Sequence, residues 1–361
     1  MKRRISIFVA LVMLLCAASA FAGFEYKLDL LSFKPLYGEF NADRNRAGLD
    51  FQYAYVYDGY PTYIYQGGNR FDFHENTTWR VKPCFAVYHI GETLSLMRNT
   101  FTFDHWLSPI AIDLSVHGSL TNVMEGEIAD TVGYDGVYFY GFSAQVSKYL
   151  SMRFGYSHYC THYGDGTYKQ LEQGGGVSPG FDEWFKYLRM DSALFGVSVY
   201  PVQGIRMYAE VNFNLKSTHL MPHTFSPSWT AVAPTADDVP ESYGARIVSF
   251  GIELEYPIFK KLGMTRLSYG CRAFEEGKIV YKTEELEANG KDRAYYDPDR
   301  PWEFEHTINL AQDVNDLVSF EVTWHYGRFI LNSYYATRSS YVSIGARLNF
   351  DGAVTLYDSG K

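Results

Sequence analysis

The chain has 361 residues, a formal net charge of -9 and an aromatic content of 17%, with 31 Tyr and 26 Phe. An acidic chain is a poor binder of nucleic acid, which requires Lys and Arg to neutralise phosphates, so no nucleic-acid partner is expected. Beyond its N-terminal segment, no run approaches the roughly 18 apolar residues that a spanning helix needs, which excludes a helical membrane protein. The aromatic content is instead typical of a membrane barrel with aromatic girdles.

Residues 1–22 have the features of a signal peptide. Lys2, Arg3 and Arg4 precede an apolar run over residues 5–16, and small residues end the segment at Ala22. Lipidation at Cys16 is disfavoured by the bulky residue before it. The exported chain would carry a charge of -12, because three positive charges leave with the signal. We predict the outer membrane of a diderm bacterium, with the barrel-assembly machinery and outer-membrane lipid as partners.

In the N-terminal part of the mature chain, the alternation of apolar and polar residues is less regular. Residues 23–67 are interpreted as a periplasmic or plugging lead-in, or as a first hairpin, ahead of a barrel over residues 68–351 and a tail over residues 352–361. Leu94 and Leu96 lie on one phase of an alternating pattern, whereas Met97 and Asn99 lie on the other. A β-bulge is therefore expected between Leu96 and Met97.

Two-sided strands dominate the rest of the chain. In the last of them Val342, Ile344 and Leu348 alternate with polar residues that include Arg347, which gives one apolar and one polar face. A soluble β-sandwich also alternates, but these strands run about 9 to 11 residues, the length of a tilted membrane strand. Length therefore favours the membrane.

The predicted fold is an all-β antiparallel transmembrane β-barrel of about twelve strands, with a range of ten to fourteen. Nine strands follow residue 136, and a tenth covers residues 110–117. Strands near residues 94–103 and 79–88 would complete twelve, and a hairpin of residues 48–57 and 63–73 would give fourteen. Short links alternate with long loops at residues 161–184, 217–244 and 276–301, which predicts periplasmic turns, extracellular loops and two periplasmic termini.

Charged residues on the polar faces would line the lumen if the apolar faces meet lipid. These residues are Asp113, Arg153, Arg206, Glu210, Glu253, Glu255, Arg266, Arg272, Glu321, His325 and Arg347. Ionised groups in such a position need water or partners. Two interpretations stay open: a packed, salt-bridged interior without transport, and a narrow passage for a small solute. The favoured function is a narrow channel or a surface-exposed binding barrel without enzymatic activity.

One segment is dense in reactive side chains. Parity with Phe154 and Tyr156 places His158 and Cys160 on the lipid-facing side of a strand, near the outer rim. A histidine beside a thiol is the minimal arrangement for an activated nucleophile, with His158 as base and Cys160 as nucleophile. The alternative is an interfacial girdle, since aromatic and histidine side chains commonly collect at the membrane surface.

The same residues resemble a known motif. Tyr156-Ser157-His158-Tyr159-Cys160 is similar to the Tyr-x-His-x-Ser of outer-membrane phospholipases and lipid A deacylases, which carry a His-x-Ser pair on the outside of a barrel. The resemblance implies hydrolysis of a lipid ester. Cys160 replaces the serine, and Thr161 stands where those enzymes carry Asn.

A broader resemblance points to an uncharacterised bacterial outer-membrane barrel family. The segment from His158 through His162 to Asp165 is similar to its His-x-Ser-Ser-His-x-Gly-Asp segment, and the final strand beginning at Tyr341 is similar to its Tyr-x-Gly-x-Gly ending. Cys160 and Thr161 replace the serine pair. This resemblance implies an envelope location and no particular activity.

No cofactor and no metal site is predicted. His219 and His223 lie in a Pro-rich loop, and Asp292, Asp297 and Asp299 lack the regular oxygen spacing of a calcium loop. Cys84, Cys160 and Cys271 remain after the signal, and three thiols cannot all pair within one chain.

Overall fold

The structure is a computed structural model that describes residues 24–66, 69–73, 76–126, 130–167, 188–215, 246–259, 261–275, 302–334, 337–349 and 354–358. The predicted signal peptide and most of the three long loops lie outside these ranges. Within them, no helix has the length and apolar character required to cross a membrane.

The described elements are mostly strands. In chain order they are β1 (Glu25–Ser32), β2 (Leu49–Asp58), β3 (Tyr63–Gln66), β4 (Asn69–Asp72), α1 (Thr78–Val81), β5 (Cys84–Thr102), β6 (Ile110–Glu125), β7 (Thr131–Ser147), β8 (Leu150–Tyr163), β9 (Leu188–Val202), β10 (Ile205–Asn214), β11 (Arg246–Tyr256), β12 (Thr265–Glu275), β13 (Trp302–Asp313), β14 (Val318–Arg328), a 3₁₀ turn (Asn332–Tyr334), β15 (Arg338–Leu348) and β16 (Val354–Asp358).

Twelve of these strands form a closed antiparallel barrel. Strands β5 to β15 pair in sequence order, and β2 closes the ring by pairing with β15 on one side and β5 on the other. Closure leaves no free edge among the spanning strands, as a bilayer requires. The predicted antiparallel barrel of about twelve strands is confirmed.

The identity of the twelfth strand differs from the prediction. The expected strand over residues 79–88 does not exist, because α1 occupies Thr78–Val81 and Cys84 already begins β5. Strand β5 then continues to Thr102 through a bulge that leaves Leu96 out of the ladder, since Ser95 pairs with Ser115 and Met97 with Leu114. Strand β2 supplies the twelfth strand, while β3 and β4 form a separate small sheet.

The seam of the barrel is built from two interrupted strands. Both β1 and β2 pair with β5: Ser32 lies opposite Ser95, and Leu49 lies opposite Ile90. Their partners follow the same order, because β15 pairs with β2 and β16 pairs with β1. Strand β16 therefore runs in the same direction as β15, and residues 33–48 connect β1 to β2.

The two ends of the barrel have different connections. One end, here called the turn end, carries the short links 103–109, 148–149, 203–204, 257–264 and 314–317. The other, the loop end, carries the connections 59–83, 164–187, 215–245 and 276–301, together with two shorter links, 126–130 between β6 and β7 and 329–337 between β14 and β15.

The exterior of the barrel is apolar. On β2, Phe51, Tyr53 and Tyr55 are exposed, whereas Ala54 and Val56 on the other face are fully buried. Exposed large apolar side chains recur on every strand of the ring, far beyond the scattered ones of a soluble surface. A continuous apolar exterior over a polar interior is the arrangement that a bilayer stabilises.

Candidate functional site

The predicted lumen-lining residues occupy two environments. Asp113, Arg153, Arg206, Glu210, Glu253, Glu321 and His325 are buried inside the barrel. Arg272 and Arg347 are partly buried there and contact residues 33–48. Arg266 and Glu255 lie at the turn end, where Arg266 pairs with Glu255 at 3.3 Å and with Asp313 at 2.6 Å. The Glu255 side chain is the most exposed of the set.

Residues 33–48, named here the lumenal segment, run through the interior of the barrel. Near its start, the Leu36 backbone N–H donates to Asp113 at 3.4 Å. The Glu39 carboxylate then accepts a hydrogen bond from the Thr93 hydroxyl at 2.5 Å and lies 3.1 Å from His117 Nδ1. The segment is therefore bound to the wall formed by β5 and β6.

The opposite wall holds the middle of the lumenal segment. Arg206 donates to the backbone carbonyls of Gly38 at 2.6 Å and Glu39 at 2.8 Å, and pairs with Glu253 at 3.1 Å. Phe40 stacks on Tyr208 with ring centroids 3.6 Å apart. These contacts join the segment to β10 and β11.

Two arginines anchor the end of the lumenal segment. Arg44 pairs with Glu305 at 3.2 Å and also donates to the Phe329 carbonyl. Arg46 pairs with Asp50 at 3.3 Å and with Glu321. The side chains of both arginines and their carboxylate partners are almost completely shielded from solvent, so each charge depends on its partner.

An apolar cluster closes the loop end above this network. Phe85, Phe329, Leu331 and Tyr334 are buried together with Trp79 from α1. Below the cluster, two cavities next to Arg44 have volumes of about 20 Å³ each, which is room for a single water. Around Arg44 the described interior is thus packed with the chain's own residues.

The lipid face carries a second arrangement. On β8, Phe154 is exposed while Arg153 is buried, so the even-numbered residues point outward. His158 Nδ1 lies 2.5 Å from the carboxylate of Asp191, its partner in register on β9. The Tyr156 hydroxyl donates to the same carboxylate. The side chains of His158 and Asp191 are 27% and 16% exposed, respectively, so the pair lies at the barrel surface.

Cys160 lies two residues beyond His158 on the same face and is half-buried. Among the described residues, no hydrogen bond joins the Cys160 thiol to His158. Because Asp191 occupies Nδ1, the other ring nitrogen, Nε2, is the one that a neighbouring thiol or a substrate would meet. Catalytic hydrogen bonds in a structure without substrate are often long and shorten only when substrate binds.

Asp191 was missed by the sequence analysis, although a signal existed. Phe195 and Val199 on the outward phase of β9 are exposed and apolar, so a carboxylate on that phase requires a partner. Arg189 belongs to the same phase and pairs in register with Cys160. The interfacial aromatic side chains predicted around the motif are also present. Tyr138 lies beside His158, with ring centroids 6.0 Å apart, and Tyr134 stacks on His162 at 4.5 Å.

The other candidate residues are the possible metal ligands and the cysteines. No group of three or more His, Cys, Asp or Glu able to hold a metal ion occurs within the described ranges. His219, His223, Asp292, Asp297 and Asp299 lie outside those ranges. Cys84, Cys160 and Cys271 are all free thiols.

Comparisons with known proteins assign the chain to no family. No family model matches the chain, and no curated protein matches it. Among solved structures, outer membrane phospholipase A from Escherichia coli is 10% identical, covers 84% of this chain and 92% of its own, and has a TM-score of 0.45. The Salmonella typhi phospholipase is 10% identical, with coverages of 84% and 90% and a TM-score of 0.46. The channel DcaP of Acinetobacter baumannii is 9% identical, with coverages of 92% and 99% and a TM-score of 0.30.

Such likenesses carry no argument about activity, and they include both enzymes and channels. The closed ring and its apolar exterior show the fold of an outer-membrane β-barrel.

Proposed function

We propose that this barrel hydrolyses an acyl ester of a membrane lipid at its lipid-facing surface, with Cys160 as nucleophile, His158 as base and Asp191 as the group that orients the histidine. The observation that carries the proposal is the 2.5 Å contact between His158 Nδ1 and the Asp191 carboxylate on the outer face of the barrel. A carboxylate on Nδ1 holds the imidazole so that Nε2 accepts the proton of a nucleophile.

The chemistry follows from these three side chains. His158 Nε2 takes the thiol proton of Cys160, and the sulfur attacks the ester carbonyl. The alcohol leaves with the proton held by His158, and an acyl thioester remains on Cys160. His158 then deprotonates a water that attacks the thioester, releasing the fatty acid and restoring the thiol. No cofactor is consumed.

The location suits a lipid substrate. His158 and Cys160 lie in the half of β8 nearer the loop end, among exposed tyrosines that include Tyr138 and Tyr140. Tyrosine is enriched where acyl chains meet head groups, which is the depth at which lipid ester bonds lie. The girdle interpretation explains the tyrosines, and the contact between the Asp191 carboxylate and His158 Nδ1 is the feature that favours a catalytic pair.

The narrow channel expected from the sequence has less support. A conducting path for a small solute would require the lumenal segment and the apolar cluster above it to move, and both are held by many buried contacts. A surface-exposed binding barrel would act through the long loops, which lie mostly outside the described residues. We therefore favour the lipid-facing site over both.

The test uses the purified barrel in vesicles of native outer-membrane lipid. We expect release of fatty acid that falls about 10²- to 10⁴-fold in His158→Ala and is abolished in Cys160→Ala, while Asp191→Asn is slowed and Cys271→Ser retains full activity. A thioester adduct on Cys160, detected by mass spectrometry of the intact chain, would identify the intermediate. If folded wild-type protein releases no fatty acid, or if Cys160→Ala is fully active, the proposed function is wrong.

A further inference from the structure

Tyr156 on the outer face of β8 is bound differently from the tyrosines near it. Tyr138 and Tyr140 on β7 are 50% and 57% exposed, as expected of girdle side chains that lie among head groups. Tyr156 is less exposed, and its hydroxyl donates a hydrogen bond to the Asp191 carboxylate on β9. A girdle tyrosine finds its hydrogen bonds in water and head groups, so this contact joins Tyr156 to the proposed site.

Two donors converge on one oxygen of Asp191. The Tyr156 hydroxyl and His158 Nδ1 both contact Oδ1, the latter at 2.5 Å. An ionised carboxylate only accepts hydrogen bonds, so the hydroxyl and the ring N–H are both donors here. The terminal torsion of an aspartate is broad, so a carboxylate held by a single donor can rotate. A second donor on the same oxygen restricts that rotation.

The strand register makes this convergence possible. His158 lies opposite Asp191, and Tyr156 lies opposite Ala193, two residues further along β9. Tyr156 and Asp191 are therefore diagonal neighbours, at a separation of about 7 to 8 Å that an aromatic side chain spans. The small Ala193 side chain leaves the tyrosine ring room to lean toward the carboxylate. On the other side, the Tyr140 ring packs against that of Tyr156 with centroids 4.9 Å apart.

The position of Asp191 explains why it needs more than one donor. Its side chain is 16% exposed, and Phe195 on the same outward phase of β9 is an exposed apolar residue. A carboxylate with so little water around it stays ionised only if hydrogen bonds replace that water. The Tyr156 hydroxyl therefore contributes both to the charge of Asp191 and to its orientation.

We infer that Tyr156 is a positioning residue, whose hydroxyl fixes Oδ1 of Asp191 against His158 Nδ1 and so keeps Nε2 available to the nucleophile. Tyr156 acts through Asp191 and takes no proton itself. The inference depends on the proposed function for its catalytic consequence. The order of the Asp191–His158 pair, however, is measurable without any hydrolysis.

The first measurement is the rate at which the His158 Nδ1 proton exchanges with water, by NMR of isotope-labelled histidine in lipid nanodiscs. Loss of the signal in His158→Ala identifies it. In Tyr156→Phe we expect exchange about tenfold faster, since one hydrogen bond to a charged group is lost. Tyr140→Phe removes a hydroxyl from the adjacent exposed ring and should match the parent. Heat-dependent gel migration verifies that each variant is folded.

The second measurement is a double-mutant cycle of lipid hydrolysis. Tyr156→Phe should lower kcat about tenfold with little change in KM, because it acts on the base and not on the bound lipid. In an Asp191→Asn background the same change should alter kcat by less than about twofold, since the group that Tyr156 positions is already altered. Tyr140→Phe should leave both constants unchanged.

The outcomes separate this inference from the proposed function. Unchanged proton exchange in folded Tyr156→Phe would overturn the positioning role, and so would the absence of an ordered signal in the parent. A full loss of kcat that persists in the Asp191→Asn background would also overturn it, because Tyr156 would then act independently of Asp191. Faster exchange in a barrel that hydrolyses no lipid retains Tyr156 as the residue that orders the pair, and the proposed function alone fails.

Discussion

Removal of Arg46 tests how firmly the lumenal segment is bound. Its guanidinium donates to the Asn41 carbonyl at 2.5 Å, pairs with Asp50 at 3.3 Å and contacts Glu321. The side chains of Arg46, Asp50 and Glu321 are 3%, 1% and 3% exposed. In Arg46→Ala, Asp50 keeps His89 at 2.7 Å, but Glu321 keeps only a 3.4 Å contact with Asn309.

The expected loss of stability follows from the Glu321 carboxylate, which stays buried without its arginine partner. Breaking a buried ion pair by removing one partner typically lowers the free energy of unfolding by about 3 to 5 kcal/mol. Arg338 provides the control, since its side chain is 46% exposed and it pairs with Glu303 at 3.3 Å. Loss of such an exposed pair changes stability by about 0 to 1 kcal/mol.

The assay is urea unfolding in lipid vesicles, followed by tryptophan fluorescence. If Arg46→Ala lowers the free energy of unfolding by less than about 1 kcal/mol, as Arg338→Ala is expected to, the inference that the lumenal segment is firmly bound is wrong. A second variant separates charge from packing. Arg46→Met combined with Glu321→Met removes both charges, and we expect it to recover much of the lost stability, because apolar replacement of a buried pair is often neutral.

Three further predictions concern the interior and the seam. Phe40→Ala should lower the free energy of unfolding by about 3 to 5 kcal/mol because it removes a buried ring stacked on Tyr208, and a wild-type denaturation midpoint would contradict this. Gly59→Ala should sharply reduce the folded fraction on heat-modified gels, because its φ is 76° and a Cβ would lie 1.7 Å from the Arg338 carbonyl oxygen; full yield of folded barrel would count against it. The wild-type protein should show no conductance steps in planar bilayers in which a porin conducts, since residues 33–48 run through the lumen and bind its walls, and regular steps would show that the lumen opens.

Much of the barrel was predictable because its pattern is local. A strand in a bilayer must present apolar side chains to lipid at every second position, so Phe320 and Val322 are exposed while Glu321 is buried. The same rule predicted the bulge near Leu96, where the phase changes, and the outward position of His158 and Cys160. None of these inferences needs knowledge of which strands are neighbours.

The errors lie where neighbours matter. The strand expected over residues 79–88 does not form, because residues 78–81 are helical and Trp79 packs in the apolar cluster at the loop end. The local sequence pattern of β2 does not indicate that this strand closes the ring against β15. The pattern would equally allow residues 79–88 to take that place. Closure depends on the register accumulated through all twelve strands, which no single window of sequence contains.

For the candidate site too, some features follow from the local sequence and others only from the tertiary structure. The sequence by itself determined the class of fold, the lipid-facing side of β8 and the presence of a histidine two residues from a thiol, because alternation is a property of the extended backbone. Only the tertiary structure decided that Asp191 lies against His158, that Gly136 lies opposite Cys160, and that Arg46 meets Glu321 across the lumen. The first two pairs join neighbouring strands and depend on the strand register, whereas Arg46 and Glu321 are 275 residues apart in the chain and meet only inside the closed barrel. No local pattern encodes either the register or the closure.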